Sequence, residues 1–166
     1  MYNSGMNERP PLSIFLEKEK APHRVFYHEQ PIHSMQEAAR ARNQDANQLI
    51  RCIIFRTSQG EFILVMVAGP SQLSWGALRA HLGLSRMTMA SKVEVLKVTG
   101  YPTGTVAPLN LLHPLRLLAD QRVFAHDEIS FGSGQRNTAI IMNTKDFQQV
   151  LGEVEIGDFI KKEQQP

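Results

Sequence analysis

Apolar and polar positions alternate in short blocks along this chain, and the period of the blocks switches repeatedly between helix and strand. Leu12, Phe15 and Leu16 share a helical spacing that predicts a short helix over 12–20, stopped at Ala21-Pro22, after which 24–28 reads as a strand. Ser34-Met35-Gln36-Glu37 is a capping box that predicts a helix over 35–42. Asp45 to Gln48 repeats that device and feeds an apolar strand over 49–55. The polar turn 57–60 joins this strand to 61–68, whose unbroken β-favouring residues predict a strand covered on both faces. Ser74 caps a helix carrying Trp75, Leu78 and Leu82, with Trp75 expected in the core and Gly83 as the stop. Ser91-Lys92-Val93-Glu94 opens another helix that halts at Gly100. Short strands follow at 115–118, 128–131 and 138–142, and Thr144 is expected to cap a last helix with Phe147, Val150 and Leu151.

Composition narrows the class. At 166 residues, 42% hydrophobic and 20% charged, the chain is expected to form one globular domain over 12–166 behind a loose lead-in over 1–11. No apolar stretch approaches the roughly 20 residues of a membrane helix, and the polar start lacks a signal-peptide core, so a cytoplasmic protein without membrane contact is expected. A net charge of +2 creates no long-range field that would announce a nucleic acid. It leaves room for a local basic face drawn from residues such as Arg40, Arg42, Arg51, Arg56, Lys92 and Arg136.

Familiar catalytic signatures are missing: there is no phosphate-binding Walker loop, zinc-protease helix, CxxC pair or GxSxG elbow. His23, His28 and His33 recur at an interval that shares no helix face, which argues against a metal site. The single cysteine, Cys52, sits in an apolar strand where burial raises a thiol pKa, so it reads as a small buried hydrophobe. The turn Gly132-Ser133-Gly134 is either a tight connection or a nest of amides for an anion. Gly100 to Pro108 holds two glycines and two prolines, a stiffly specified loop whose Gly104 lets backbone approach a ligand closely.

Several segments in order resemble the YbaK family, the free-standing relatives of the editing domain inserted in bacterial prolyl-tRNA synthetase. They are SMQEAA (34–39), QLIRCIIF (48–55), FILVMVAG (62–69), ASKVEV (90–95), TGYPTGTVAP (99–108), LADQRV (118–123) and FGSGQR (131–136), and together they span about 12–151. The resemblance implies an α+β fold: a compact mixed sheet, partly barrel-like, flanked by helices. It implies deacylation of mischarged tRNA without metal or cofactor, with Gly104, Thr105 and Pro108 presenting main chain to the substrate. Thr99, Gly100 and Tyr101 would stand at the loop entrance, and Gly132, Ser133 and Gly134 would line the substrate side.

Partners implied in the same way are the aminoacylated 3′ end of tRNA and a synthetase, with no DNA. Two departures stand out. Arg51 replaces the lysine that relatives carry, keeping the charge on a planar fork able to grip a terminal phosphate. Thr105 and Leu109-Asn110 replace a glycine and a Phe-Gly pair. The alternative of another class is a tRNA-binding module that keeps the pocket without turnover.

Overall fold

A computed structural model describes residues 8–162, so the expected lead-in lies outside the described residues as far as residue 7. Five helices are present among them: α1 (Pro11–Lys18), α2 (Met35–Ala41), α3 (Trp75–Leu82), α4 (Lys92–Thr99) and α5 (Thr144–Leu151). The eight strands are β1 (Arg24–Tyr27), β2 (Ile50–Thr57), β3 (Phe62–Ala68), β4 (Met87–Met89), β5 (Arg116–Asp120), β6 (Glu128–Gly132), β7 (Thr138–Asn143) and β8 (Glu155–Gly157). Single 3-10 turns occupy Ala46–Gln48 and Gln121–Phe124. The short strands β4 and β8 and the second 3-10 turn add to what the apolar pattern predicted.

The caps mostly act as their residue types require. Ser74 and Ser91 accept from the third amide of their helices, and Glu94 completes the box at α4. Ser34 also accepts from Glu37 N–H, but the Glu37 carboxylate receives His33 N–H at 3.2 Å instead of closing the box. At α5 the cap is Asn143, whose Oδ1 accepts from Lys145 N–H. Thr144 is instead the first helical residue, and its hydroxyl donates to the His126 carbonyl.

Strands order as β4-β2-β3-β5-β8 in one sheet and β1-β7-β6 in the other. The second sheet is wholly antiparallel, whereas β3-β5 and β5-β8 are parallel. β3 earns its unbroken apolar run by being covered twice. Leu64, Met66 and Ala68 face a core shared with β6, β7, α1, α4 and α5, while Ile63, Val65 and Val67 face α3 and Phe159. Trp75 is not in that second core. It leaves 37% of its surface exposed and meets Phe55 only edge-on at 5.1 Å, because α3 turns Leu78 inward instead.

The sheets meet at one parallel bridge between Leu49 and Ser130, so the sheet is rolled but does not close into a barrel. Past that bridge β6 leaves β2, and β4 does not join β2 until Phe55. β2 therefore has a bare outer edge over its first half.

Candidate active site

A cleft of about 500 Å³ fills the space along that bare edge. Its floor is β2 from Ile50 to Ile54, one side is Met89, Ala90, Lys92 and Val95, and the other is Thr103, Gly104, Val106 and Gly132. Gly69 N–H donates to Leu49 O and Ala90 N–H to Ile54 O, so odd-numbered residues of β2 address β3 and even-numbered ones address the outside. The N–H and C=O of Cys52 thus fall in the gap between β6 and β4, where no strand pairs with them.

The loop wall is held from behind. Thr105 is buried and doubly tied to Pro102 O, by its N–H at 3.0 Å and its hydroxyl at 2.8 Å, and its own carbonyl receives Gly134 N–H at 2.9 Å. The N–H groups of Gly104 and Val106 donate to no acceptor among the described residues. Tyr101 closes the loop by donating its hydroxyl to Leu109 O and Asn110 O, at 2.9 and 3.1 Å, while its ring covers Gly134. Burial pushes the Tyr101 phenol up to about 12, so this brace stays protonated. Gly132 lets the loop lie directly on β6: a Cβ there would stand 2.5 Å from Val106 O and 2.8 Å from Thr105 O.

Of the residues singled out from the sequence, Arg51, Gly104 and Gly132 border this cleft. Thr105 and Pro108 belong to the loop without lining the cleft, and Tyr101 and Gly134 brace it. Thr99 and Gly100 finish α4: the Thr99 hydroxyl donates to Val95 O and accepts from Tyr101 N–H, and Gly100 takes φ +81°. Ser133 is buried, bonded through its hydroxyl to Thr138 and through its carbonyl to Leu12 N–H.

Arg51 borders the cleft, and its guanidinium is engaged by main chain. Alternation puts its side chain on the sheet face opposite Cys52, and the guanidinium donates to Gly69 O at 2.8 Å and to Ser71 O. Partial burial lowers its pKa. The cation left at the cleft is Lys92, exposed at the first position of α4 and without an ion pair among the described residues.

The bare strand edge as a site wall was missed because an open edge is set by which strands stop short, not by local sequence, and Lys92 was visible only as one basic residue among several. Cys52 lines the cleft, half-buried, with its thiol pushed up to about 12 by its apolar surroundings. A thiol so placed is not a nucleophile near neutrality. In the folded protein it is expected to resist iodoacetamide at about pH 8 and to react on unfolding. Labelling of the native chain at the rate of a free cysteine would contradict this.

The cleft therefore offers main chain, apolar side chains and the Lys92 ammonium rather than an acid–base pair. The family model described as aminoacyl-tRNA editing domain matches residues 29–150. The chain belongs to that family.

Over 111 residues this editing domain is 30% identical to the multifunctional Ser/Thr-tRNA deacylase ProXp-y of Escherichia coli K12, and the match spans 66% of each protein's length. It is 28% identical over 86 residues to the proline-tRNA ligase of Trichlorobacter lovleyi, covering 52% of this chain and 15% of the ligase. A crystal structure assigned as a candidate trans-editing enzyme for prolyl tRNA synthetase superposes with a TM-score of 0.81 at 20% identity, over 93% of this chain and 100% of that one. The shared fold is thus an α+β editing-domain fold. Among the described residues no helix is long and apolar enough to cross a membrane.

Proposed function

We propose that this chain hydrolyses the ester of a mischarged aminoacyl-tRNA, acting in trans. The observation that carries the reading is the cleft itself: a bare strand edge facing a braced loop, in a member of the editing family, with no nucleophile paired to a base in its lining among the described residues. An aminoacyl ester is activated, and a water held against its carbonyl, oriented by the neighbouring ribose hydroxyl, gains much of the required rate from proximity and passes its proton to the leaving ribose oxygen. Attack gives a tetrahedral oxyanion, and collapse releases the amino acid and the free tRNA hydroxyl. The unengaged N–H groups of Gly104 and Val106 are suited to receive that oxyanion, and the Cys52 carbonyl is suited to the substrate's ammonium.

In this reading Gly104 is the close-approach residue, while Thr105 and Pro108 fix the loop, Tyr101 and Gly134 brace it, and Gly132 seats it. Thr99, Gly100 and Ser133 hold the chain on either side, and Arg51 anchors the strand edge. Ile50, Cys52, Ile54, Met89 and Val95 set the size of the acceptable side chain. The reaction needs no cofactor. Its partners would be the aminoacylated 3′ end of tRNA and a synthetase of the prolyl type, and its place the cytoplasm.

Single-turnover assays with a panel of labelled aminoacyl-tRNAs, including alanyl, seryl, threonyl and cysteinyl species, are expected to show accelerated deacylation of at least one. The engagement of Arg51 by main chain favours one other reading, a module that binds tRNA ends without turnover. Tight tRNA binding with no acceleration for any species would replace the enzyme by that module.

A further inference from the structure

A second cavity, of about 340 Å³, lies on the far side of the Gly104-Thr105 backbone, so that Gly104 belongs to both walls. It gathers His28 from the end of β1, Arg42 from the end of α2 and Arg136 from the β6–β7 turn, and no carboxylate lines it. Arg42 is half-buried and has no carboxylate partner among the described residues. Its Nε donates to His28 Nε2 at 3.1 Å and its Nη1 to Ser130 Oγ at 3.0 Å, which leaves most of the guanidinium's donors unengaged.

A guanidinium only donates, so His28 Nε2 must be the ring's acceptor and Nδ1 its N–H. That N–H is shut away from solvent and has no acceptor among the described residues. Burial and the adjacent Arg42 both lower the His28 pKa, in keeping with a neutral ring. Behind Arg42 the Ser130 hydroxyl donates to Gln44 Oε1, and Gln44 Nε2 donates to Glu128 Oε1, so a neutral relay separates the arginine from the nearest carboxylate of this network. Arg136 is exposed and without an ion pair among the described residues.

The cavity thus carries two guanidinium cations and no carboxylate in its lining. Its complement is an oxyanion with several lone pairs, which a forked guanidinium receives best. Burial also pulls the Arg42 pKa down to about 10, a cost to the charged form that an arriving anion relieves.

We propose that the Arg42–Arg136 cavity binds a backbone phosphate of the same tRNA strand whose acylated end occupies the cleft. This rests on the deacylase reading for its source of phosphate. The strand would straddle the loop, with the ester on one side of Gly104 and a phosphodiester on the other, and the second contact would fix how far the ester enters.

The test uses binding alone. Titration of the isotopically labelled protein with inorganic phosphate is expected to shift the His28 ring and Arg42 side-chain signals saturably, and Arg136→Ala to weaken that binding severalfold. For deacylated tRNA, Arg136→Ala is expected to raise Kd about 5- to 10-fold and to lower the slope of log Kd against log salt by about 0.7–0.9, the signature of one lost phosphate contact. Lys145→Ala, which removes the same charge from the exposed start of α5, controls for net charge. Arg42→Lys keeps the charge and loses the fork, and it should weaken binding as well.

Absence of a saturable phosphate shift, with tRNA affinity unchanged in Arg136→Ala, overturns the site. Phosphate binding with an unaltered tRNA affinity and salt slope assigns the cavity to a free phosphate and overturns the RNA assignment. Because neither readout involves turnover, a protein that deacylates tRNA yet fails both loses this site and keeps the activity.

Discussion

Gly132→Ala is expected to cut deacylation about 100-fold while leaving a folded protein. The added methyl would meet the carbonyl oxygens of Val106 and Thr105 at 2.5 and 2.8 Å, and both belong to backbone that cannot rotate aside as a side-chain tip can. The loop must lift from β6, and a displacement near 1 Å at a positioning wall costs on the order of 100-fold in rate. Overpacking of this kind lowers stability by about 1–3 kcal/mol, which is less than the roughly 5–15 kcal/mol that holds a typical folded protein together. Gly104→Ala separates clash from strain, because nothing lies within 4 Å of its Cβ position although its φ is +90°. Single-turnover rates and urea midpoints of both variants decide the matter. Wild-type turnover in a folded Gly132→Ala protein would mean that the seat of the loop does not set the rate.

Arg51→Ala is expected to act on stability first, lowering it by about 2–3 kcal/mol. Two carbonyls at the end of β3, those of Gly69 and Ser71, lose a charged donor, and bonds of this type are worth about 1.5–3 kcal/mol each before allowance for partial exposure. Arg51→Lys should recover only part of the loss, since an ammonium cannot reproduce the fork that reaches both oxygens. The phosphate grip that the sequence implied makes the opposite forecast: tRNA affinity falls and the urea midpoint stays. Measuring both quantities on the same variant distinguishes the two roles of Arg51.

Arg51 shows where sequence reading stops: its charge was legible, but not the two carbonyls that its guanidinium meets. Caps, turns and the doubly covered β3 were legible because their causes lie within a few residues: Ser74 and Ser91 reach their own helix amides, and the apolar run 62–68 needs cover on both faces. The strands β4 and β8 were not, since three residues carry no readable period and owe their pairing to neighbours. Trp75 went astray for a similar reason. Helical spacing placed it with Leu78, but the arc of α3 that the sheet covers is narrower than the spacing allows.

The loop from Gly100 to Pro108 could be found from its glycine and proline density, and the Gly132 turn from its small residues. The opposite wall could not. Whether β2 shows a bare edge depends on β6 leaving at Ser130 and β4 arriving at Phe55, and neither event is written in residues 50–54. Arg42 was visible only as one basic residue among several; its setting against His28 and Ser130 is made by three separate segments.

An unpaired strand edge normally invites another chain to add itself, with aggregation as the result. In this molecule the exposed rung is fenced at both ends, by β6 on one flank and β4 on the other, and runs only from Ile50 to Ile54. A foreign strand would find room for about four residues, some 13 Å at the usual rise, before colliding with its neighbours. The fold can thus keep reactive main chain on display for a small acyl group while denying a foothold to a polypeptide.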